Sequence, residues 1–212
     1  DKEIFNLICD DPSVVVLTEK TSNLYHSTTI NSIDTLMAPL EGLEKEKKTF
    51  LQPDILLTFG GMVVSKKIKS FLRNHPPETH WHVDSKKAYD TYYCLKKHCL
   101  LHPNSFLKAL YSEAYSPASS YREEDLKHYN KFGARGRQWL KTQAFSDLKV
   151  FEKIAFKLPN TLQLQLANSS TIRYAQLFDL PKETSVFCNR GTSGIDGSTA
   201  TAVGAAQISK SP

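Results

Sequence analysis

The sequence contains few of the features that mark secreted, membrane or nucleic-acid-binding proteins. Its 212 residues include only four cysteines, which lack the spacing of a disulfide framework, so we expect reduced thiols and a cytoplasmic protein. No apolar run approaches the roughly 20 residues that a transmembrane helix needs. The net charge of +5 is mild and scattered. This argues against a nucleic-acid partner, because such proteins concentrate basic residues on one face.

Familiar catalytic signatures are also missing. There is no G-x-S-x-G elbow, no Walker lysine motif, no H-E-x-x-H motif and no pair of carboxylates at a catalytic spacing. His80 and His82 share one face of a predicted strand, but no third metal ligand stands at a diagnostic spacing. Cys94 and Cys99 likewise lack a partner pair. We therefore predict no metal ligands, and the reactive group would be a cofactor or would come from sequence outside this chain.

What the sequence does contain is a regular alternation of short apolar runs and segments with helical periodicity. The predicted strands cover residues 14–17, 54–59, 80–84, 162–166 and 185–188, and the predicted helices cover residues 29–37, 65–72, 103–115, 123–142 and 145–158. This order is typical of an α/β fold with parallel sheets. We expect a Rossmann-like domain over residues 1–144 and an incomplete second α/β unit over residues 145–212.

The second unit has a strand-to-helix turn that carries a cation. Asn168, Ser169 and Ser170 are all good N-cap residues, so simple helix initiation is one interpretation of this turn. Arg173 fits that interpretation poorly, because a cation in the first turn of a helix opposes the helix dipole. Anion binding by Arg173 is the alternative, and the residues alone leave both open.

A glycine-rich loop follows the next predicted strand. Arg190 begins it, glycines stand at positions 191, 194 and 197, and small residues suited to a helix come next. Glycine allows the backbone to approach a ligand, and a helix start offers free N–H groups to a phosphate or carboxylate. The carboxyl ends of parallel strands share one edge, so this loop and the 168–173 turn should lie together there. Arg173 and Arg190 would then converge on a substrate with more than one carboxylate.

The first unit contains an analogous turn after its second predicted strand. Gly60 and Gly61 end the strand, Ser65 is a candidate N-cap, and Lys66 and Lys67 fall in the first helical turn. Both lysines oppose the helix dipole, which suggests an anion site. Two exposed lysines without a ligand remain the alternative.

At residues 189–197 the sequence NRGTSGIDG resembles the NRGxSGIDG signature of the MenD family. These are the thiamine diphosphate-dependent 2-succinyl-5-enolpyruvyl-6-hydroxy-3-cyclohexene-1-carboxylate synthases of menaquinone biosynthesis. The NSxxxR segment at 168–173, and Phe-Gly-Gly with the downstream Ser-Lys at 59–66, are similar to family segments in the same order. The resemblance spans nearly the whole chain and is most specific at 189–197.

The resemblance implies an enzyme with a pyrimidine-binding, a central and a diphosphate-binding domain. Residues 1–144 would form the central, transhydrogenase-like domain without its first strand and helix, and residues 145–212 the first part of the diphosphate domain. The family reaction decarboxylates 2-oxoglutarate on thiamine diphosphate, with Mg²⁺ or Mn²⁺, and adds the resulting carbanion to isochorismate. A homo-oligomer, dimer or tetramer, is implied as well.

Site residues follow from the resemblance by matching position. Catalytic roles are implied for Arg173 and Arg190. Substrate contacts are implied for Lys66, Ser169, Arg173, Arg190 and Ile195, and cofactor contacts for Asn168, Ser169, Ser193, Gly194, Ile195 and Asp196. Lys67 stands where some members have arginine, which leaves its role open because lysine lacks the guanidinium fork. The family's activating glutamate and metal motif match no part of this chain, so we expect the chain alone to be inactive.

Two other functions are compatible with parts of the sequence. Another thiamine diphosphate carboligase, such as a relative of acetolactate synthase, would share the cofactor, but such relatives carry a different sequence at 189–197. A Rossmann-like binding module without catalysis would need a complete second sheet, for which the sequence predicts only two strands. The sequence downstream in the source gene would distinguish these functions.

Overall fold

The structure is a computed structural model that describes residues 1–41, 50–112, 118–181 and 183–209. Helices and strands alternate over residues 55–83 and 161–208, and three consecutive helices lie between the last strand of the first sheet and the first strand of the second. The strands are β1 (Ile55–Phe59), β2 (Thr79–Val83), β3 (Leu95–Cys99), β4 (Thr161–Leu166) and β5 (Glu183–Cys188). The α-helices are α1 (Lys2–Asp10), α2 (Ile33–Met37), α3 (Lys66–Asn74), α4 (Pro103–Leu110), α5 (Tyr121–Thr142), α6 (Asp147–Lys157), α7 (Ser170–Ala175) and α8 (Ser198–Ile208).

The strands form two parallel sheets, which confirms the predicted α/β fold. The first sheet has the order β1-β2-β3, and the second consists of β4 and β5. Leu166 pairs with Cys188 at the carboxyl ends of β4 and β5, so the turns that follow these two strands leave from the same edge. Phe59 pairs with Val83 in the same way at the ends of β1 and β2. No helix in the described ranges is long and apolar enough to cross a bilayer.

The prediction of a strand at residues 14–17 is wrong. The structure has only an isolated bridge there, between Leu17 and Ile30. The chain cannot extend the pairing, because it turns directly afterwards into a 3₁₀ helix, Lys20–Ser22, and a left-handed Asn23 with φ 52°. The predicted helix at 29–37 is correspondingly shorter, since Ile30 belongs to the bridge and α2 begins only at Ile33.

Two elements were not predicted. Strand β3 has the sequence LKKHC, in which the central residues are polar and partly exposed, so it lacks the apolar pattern of a buried strand. Helix α1 buries Phe5, Ile8 and Cys9 on one side. The remaining predicted elements are present with shifted ends, and the predicted helix at 103–115 ends at Leu110, with its last residues outside the described ranges.

The second sheet is stabilised by a core to which the first part of the chain contributes. Val186 of β5 and Ile172 of α7 are 1% exposed and pack with Leu166 and Ala175. Val64, which precedes α3, belongs to the same cluster. Burial of each such side chain is worth roughly 1.5–3 kcal/mol. The two sheets therefore share apolar packing, and the domain boundary near residue 144 stays a prediction.

Candidate active site

One buried amide holds together the two turns at the edge of the second sheet. Asn168 is 3% exposed, and its Nδ2 donates to the backbone oxygens of Asn189 and Gly194, each at 2.7 Å. Its Oδ1 accepts from Nη1 of Arg190 at 2.6 Å and from the Cys188 thiol at 3.3 Å. The prediction that both turns lie at one edge is confirmed. The Asn168 side chain is fully occupied by this scaffold, and its implied contact with a cofactor stays a prediction.

Ser169 adopts an unusual backbone conformation at the same edge. It is the N-cap of α7, but its φ is +65° and its side chain makes no capping hydrogen bond. A non-glycine residue with positive φ is uncommon and strained. Its hydroxyl is exposed and not used for helix initiation. The N-cap geometry predicted from sequence is therefore only partly correct, and Ser169 remains available to a ligand.

The prediction that Arg173 lies in the first turn of its helix and opposes the helix dipole is wrong. Helix α7 has only six residues and ends at Ala175, so Arg173 already lies in its last turn. A cation is favourable in that position. No residue of this segment signals so short a helix, and anion binding by Arg173 therefore depends on its surroundings.

Those surroundings are a cleft between the two sheets. The cleft has a volume of about 400 Å³ and its lining is mostly charged: Asp34, Glu41, Val64, Lys66, Lys67, Ser70 and Arg173. Lys66 and Lys67 are the first two residues of α3, which confirms their predicted place in its first turn. The Nζ of Lys67 lies 2.6 Å from a carboxylate oxygen of Glu41. Lys66 and Arg173 therefore line one cleft from different helices, α3 and α7, and Lys67 is already paired.

The start of α3 is fixed by hydrogen bonds to two carboxylates. Ser65 caps the helix, since its Oγ accepts from the backbone N–H of Ile68 at 3.2 Å, and the same hydroxyl donates to Asp34. The carboxylate of Glu19 accepts from the backbone N–H groups of Val64 at 2.8 Å and Ser65 at 3.0 Å. Burial raises the pKa of Glu19, and these two hydrogen bonds oppose that rise.

Arg190 has an unsatisfied donor at the edge of the sheet. Its Nη1 is bonded to Asn168, but its Nε is buried without an acceptor among the described residues. Burial raises the pKa of Glu19, and the positive charge of Arg190 is one of the effects that oppose this rise. Glu19 lines a narrow recess together with Arg173. An unpaired buried donor is costly, so an anionic ligand would stabilise this arrangement. The predicted convergence of Arg173 and Arg190 on one ligand stays a prediction.

The loop after Arg190 presents backbone to solvent. Residues 191–197 are exposed, and Ile195 is 69% exposed despite its apolar side chain. Gly197 is the N-cap of α8 with φ +76°, no side chain caps the helix, and its first turn contains no acidic residue. The first N–H groups of such a helix lack intrahelical partners and suit a phosphate. Ser193, Gly194 and Asp196 belong to this loop, and their contact with the diphosphate of the implied cofactor stays a prediction.

A divalent metal has no comparable site in the ranges that the structure describes. Those ranges contain no group of three or more His, Cys, Asp or Glu residues that could hold an ion. His80 and His82 both hydrogen-bond to the hydroxyl of Thr58, at 2.8 and 2.9 Å, and burial lowers both of their pKa values. This pair is part of the first sheet's internal hydrogen bonding.

Sequence reasoning missed the acidic and amide residues of the site. Glu19, Asp34, Glu41 and Gln176 belong to no motif, and they reach the cleft or its recess only through the tertiary fold. The one available signal was the polar run at 18–23 directly after an apolar run, which is typical of a loop at the end of an element.

Comparison with known proteins shows which family this chain belongs to. Residues 14–166 match a family model described as the middle domain of thiamine pyrophosphate. A 2-succinyl-5-enolpyruvyl-6-hydroxy-3-cyclohexene-1-carboxylate synthase of Flavobacterium johnsoniae is 49% identical over 212 residues, which is 100% of this chain and 38% of that protein. The synthase of the same name from Christiangramia forsetii is 50% identical over 207 residues, 97% of this chain and 36% of that protein.

The same name recurs at greater distance, in a protein of Phocaeicola vulgatus that is 38% identical over 179 residues, 81% of this chain and 30% of that protein. The chain thus spans little more than a third of the length of these two curated relatives. The resemblance seen at residues 189–197 is confirmed over the whole chain. The chain belongs to the thiamine pyrophosphate middle-domain family, in the group of the 2-succinyl-5-enolpyruvyl-6-hydroxy-3-cyclohexene-1-carboxylate synthases.

Proposed function

We propose that this chain is part of a menaquinone-biosynthesis synthase, which decarboxylates 2-oxoglutarate and joins the remaining four-carbon unit to isochorismate. The products are 2-succinyl-5-enolpyruvyl-6-hydroxy-3-cyclohexene-1-carboxylate and CO₂. The observation that carries the proposal is Arg190, whose buried Nε lacks an acceptor among the residues that the structure describes. It lies beside the exposed loop 191–197 and the start of α8, which no side chain of the described residues caps. A carboxylate substrate next to a bound diphosphate would satisfy both.

The distribution of cations suits two dicarboxylic substrates. Lys66 and Arg173 face the cleft, and Arg190 stands at the sheet edge with one donor unused. A guanidinium can bind a carboxylate through two parallel hydrogen bonds, which fixes its orientation as well as its charge. In our proposal Lys66 holds a carboxylate of isochorismate, and Arg173 and Arg190 orient the substrate carboxylates at the reacting centre. Lys67 is excluded from this set by its contact with Glu41.

Thiamine diphosphate, when bound, supplies the ring that takes up the electrons released as 2-oxoglutarate loses CO₂. This chain's part is to hold the diphosphate on the loop at 191–197 and the first turn of α8. Ser193, Gly194 and Asp196 lie on that loop, and Ile195 offers an apolar surface that a bound cofactor or substrate would cover. Ser169 presents its free hydroxyl from the neighbouring turn.

The complete reaction needs more than this chain in our proposal. The activating glutamate and the ligands of Mg²⁺ or Mn²⁺ are assigned to other parts of a longer, cytoplasmic, homo-oligomeric enzyme. We therefore expect the 212 residues alone to be inactive and to bind thiamine diphosphate no more tightly than millimolar, a Kd equivalent to about −4 kcal/mol. Micromolar binding of thiamine diphosphate to these 212 residues, measured by calorimetry, would contradict the proposal that part of the cofactor site lies outside this chain.

The test is turnover by the full-length protein. Purified protein with thiamine diphosphate and Mg²⁺ should release CO₂ from 2-oxoglutarate and form the succinyl-cyclohexene product only when isochorismate is present. Pyruvate in place of 2-oxoglutarate is the matched control, since it lacks the second carboxylate. Faster turnover of pyruvate would favour an acetolactate synthase-like carboligase. Ligand binding without any turnover would favour a binding module.

A further inference from the structure

A short segment near the start of the chain contacts α3, α7 and β5, the three elements that contain or lead to the proposed substrate cations. This anchor segment, residues 19–23, comprises Glu19, the 3₁₀ helix Lys20–Ser22 and Asn23. It lies between the two sheets, and no role in binding or catalysis follows for it from the motifs or from the family match. Its hydrogen bonds reach the start of α3, the end of α7 and the middle of β5.

The first contact is with the element that carries Lys66. Both carboxylate oxygens of Glu19 lie 2.8 Å from the backbone N–H of Val64, and one also accepts from Ser65 at 3.0 Å. Ser65 is the N-cap of α3, so these hydrogen bonds fix the point at which that helix begins. Lys66 is the next residue, and its direction into the cleft depends on this fixed start.

The second contact is with the helix that carries Arg173. The backbone N–H of Lys20 donates to Oε1 of Gln176 at 3.0 Å, and Gln176 is the C-cap of α7. The Lys20 side chain is 1% exposed and donates to Asn31 at 3.1 Å, which holds the segment itself in place. Gln176 follows Arg173 by three residues, so it lies on the same helical turn.

The third contact is with the strand that leads to Arg190. Asn23 bonds to Val186 twice, accepting from its backbone N–H at 2.7 Å and donating to its backbone oxygen at 3.1 Å. Asparagine tolerates the left-handed conformation that Asn23 adopts, with φ 52°. Val186 is 1% exposed and lies in β5. Arg190 follows it by four residues, just after the strand ends.

We propose that Glu19 and Asn23 are positioning residues, which set the relative placement of Lys66, Arg173 and Arg190 by holding their three elements to one segment. The inference rests on the proposed function. Lys66 lies in α3, Arg173 lies in α7, and Arg190 follows β5. These three residues do not contact one another directly, so their alignment depends on other residues. Displacing one group in a site by about 1 Å can cost about 100-fold in rate, so such alignment has measurable value.

The experiment compares KM values in the full-length protein. Glu19→Gln removes the charge and replaces one of the two carboxylate oxygens with an NH₂ group, which cannot accept from the N–H of Val64. Asn23→Gly removes the side chain but permits the left-handed backbone. Matched controls are Glu123→Gln in the exposed first turn of α5 and Asn160→Gly in an exposed turn. We expect KM for isochorismate to rise about tenfold in Glu19→Gln, KM for 2-oxoglutarate about tenfold in Asn23→Gly, and neither control to change.

A change in KM distinguishes a positioning role from a loss of stability. A variant that only unfolds more readily has less folded enzyme, which lowers the apparent kcat and leaves KM unchanged. Asn23→Asp keeps the acceptor for Val186 and should give an intermediate KM. Unchanged KM values with a lowered Tm would overturn the inference while leaving the proposed function intact. Wild-type protein without turnover or 2-oxoglutarate binding would overturn both. If Glu19→Gln does not fold, the variants of the exposed Asn23 decide the question.

Discussion

The side chain of Asn168 accepts a 2.6 Å hydrogen bond from Arg190 while its amide nitrogen donates to two backbone oxygens of the loop that Arg190 begins. One residue of the turn after β4 therefore sets both the direction of the guanidinium and the shape of the loop after β5. The loop and the arginine cannot change position independently as long as this amide is in place.

Asn168→Asp should be strongly destabilising, although it preserves shape and adds a charge opposite Arg190. A carboxylate has no N–H, so the oxygens of Asn189 and Gly194 would lose their donor and face a negative oxygen instead. We expect the free energy of unfolding to fall by about 1–3 kcal/mol, measured by urea denaturation. Asn160→Asp, on an exposed turn, is the control and should be nearly neutral. Equal stability of the two variants would show that the Asn168 contacts contribute little.

Removing either cation should weaken catalysis by the full-length enzyme. Arg173→Ala and Arg190→Ala each leave a substrate carboxylate without its partner, which should lower kcat/KM by about 100-fold. Arg190→Lys should recover only part of this loss, because lysine cannot donate to Asn168 and a carboxylate in a planar fork. Arg135→Ala, exposed on α5, serves as the control. Wild-type kinetics in both alanine variants would refute the assignment.

The two neighbouring lysines at the start of α3 should behave differently. Lys66→Ala should raise KM for isochorismate by about tenfold or more, since its ammonium is proposed to hold a carboxylate. Lys67→Ala should change KM by no more than about threefold, because its ammonium is paired with Glu41 at 2.6 Å. Measuring both variants with the same substrate gives each a matched control. A larger effect at Lys67 would mean that the ion pair opens on binding.

The buried carboxyl of Asp125 should make stability depend on pH. Asp125 is 0% exposed, and neither of its oxygens has a hydrogen-bond partner in the part of the chain that the structure describes. Burial, with a smaller effect of Glu124, raises its pKa to about 7. The unfolded carboxyl titrates near pH 4, at about 3.9. Its contribution to stability is therefore complete below about pH 4 and is lost as the pH rises through about 7.

Asp125→Asn removes this titration and should be the more stable protein at pH 8, by on the order of 2–4 kcal/mol. The difference should vanish near pH 4, where both side chains are neutral. Urea denaturation of the two proteins across this range provides the measurement. Glu123→Gln, two residues away and exposed, should show no such trend. A difference that does not change with pH would contradict the buried titration.

The sequence predicted those features that depend on local pattern and on parallel strands. The strand patterns of β1, β2, β4 and β5 and the N-cap at Ser65 are visible in consecutive residues. The meeting of the two turns at Asn168 follows because neighbouring parallel strands end at one edge.

Other features depend on contacts between residues that are far apart in the sequence, and no local pattern predicts such contacts. Glu19 bonds to Val64 across 45 residues, and Asn23 bonds to Val186 across 163. The brevity of α7, which moved Arg173 from a first turn to a last one, has no stop signal in its own residues. Strand β3 was missed because its side chains are polar, and it forms because β2 offers it a parallel edge.

The packing of Val64 among Leu166, Ile172 and Val186 has a mechanical consequence. A rotation that widened the cleft between the sheets would pull Val64 out of this cluster and expose apolar surface on both sides. Opening is thus opposed by the same burial that stabilises the second sheet. The spacing between Lys66 and Arg173 is accordingly a property of the folded core, and substrates would enter a cleft whose width is already set.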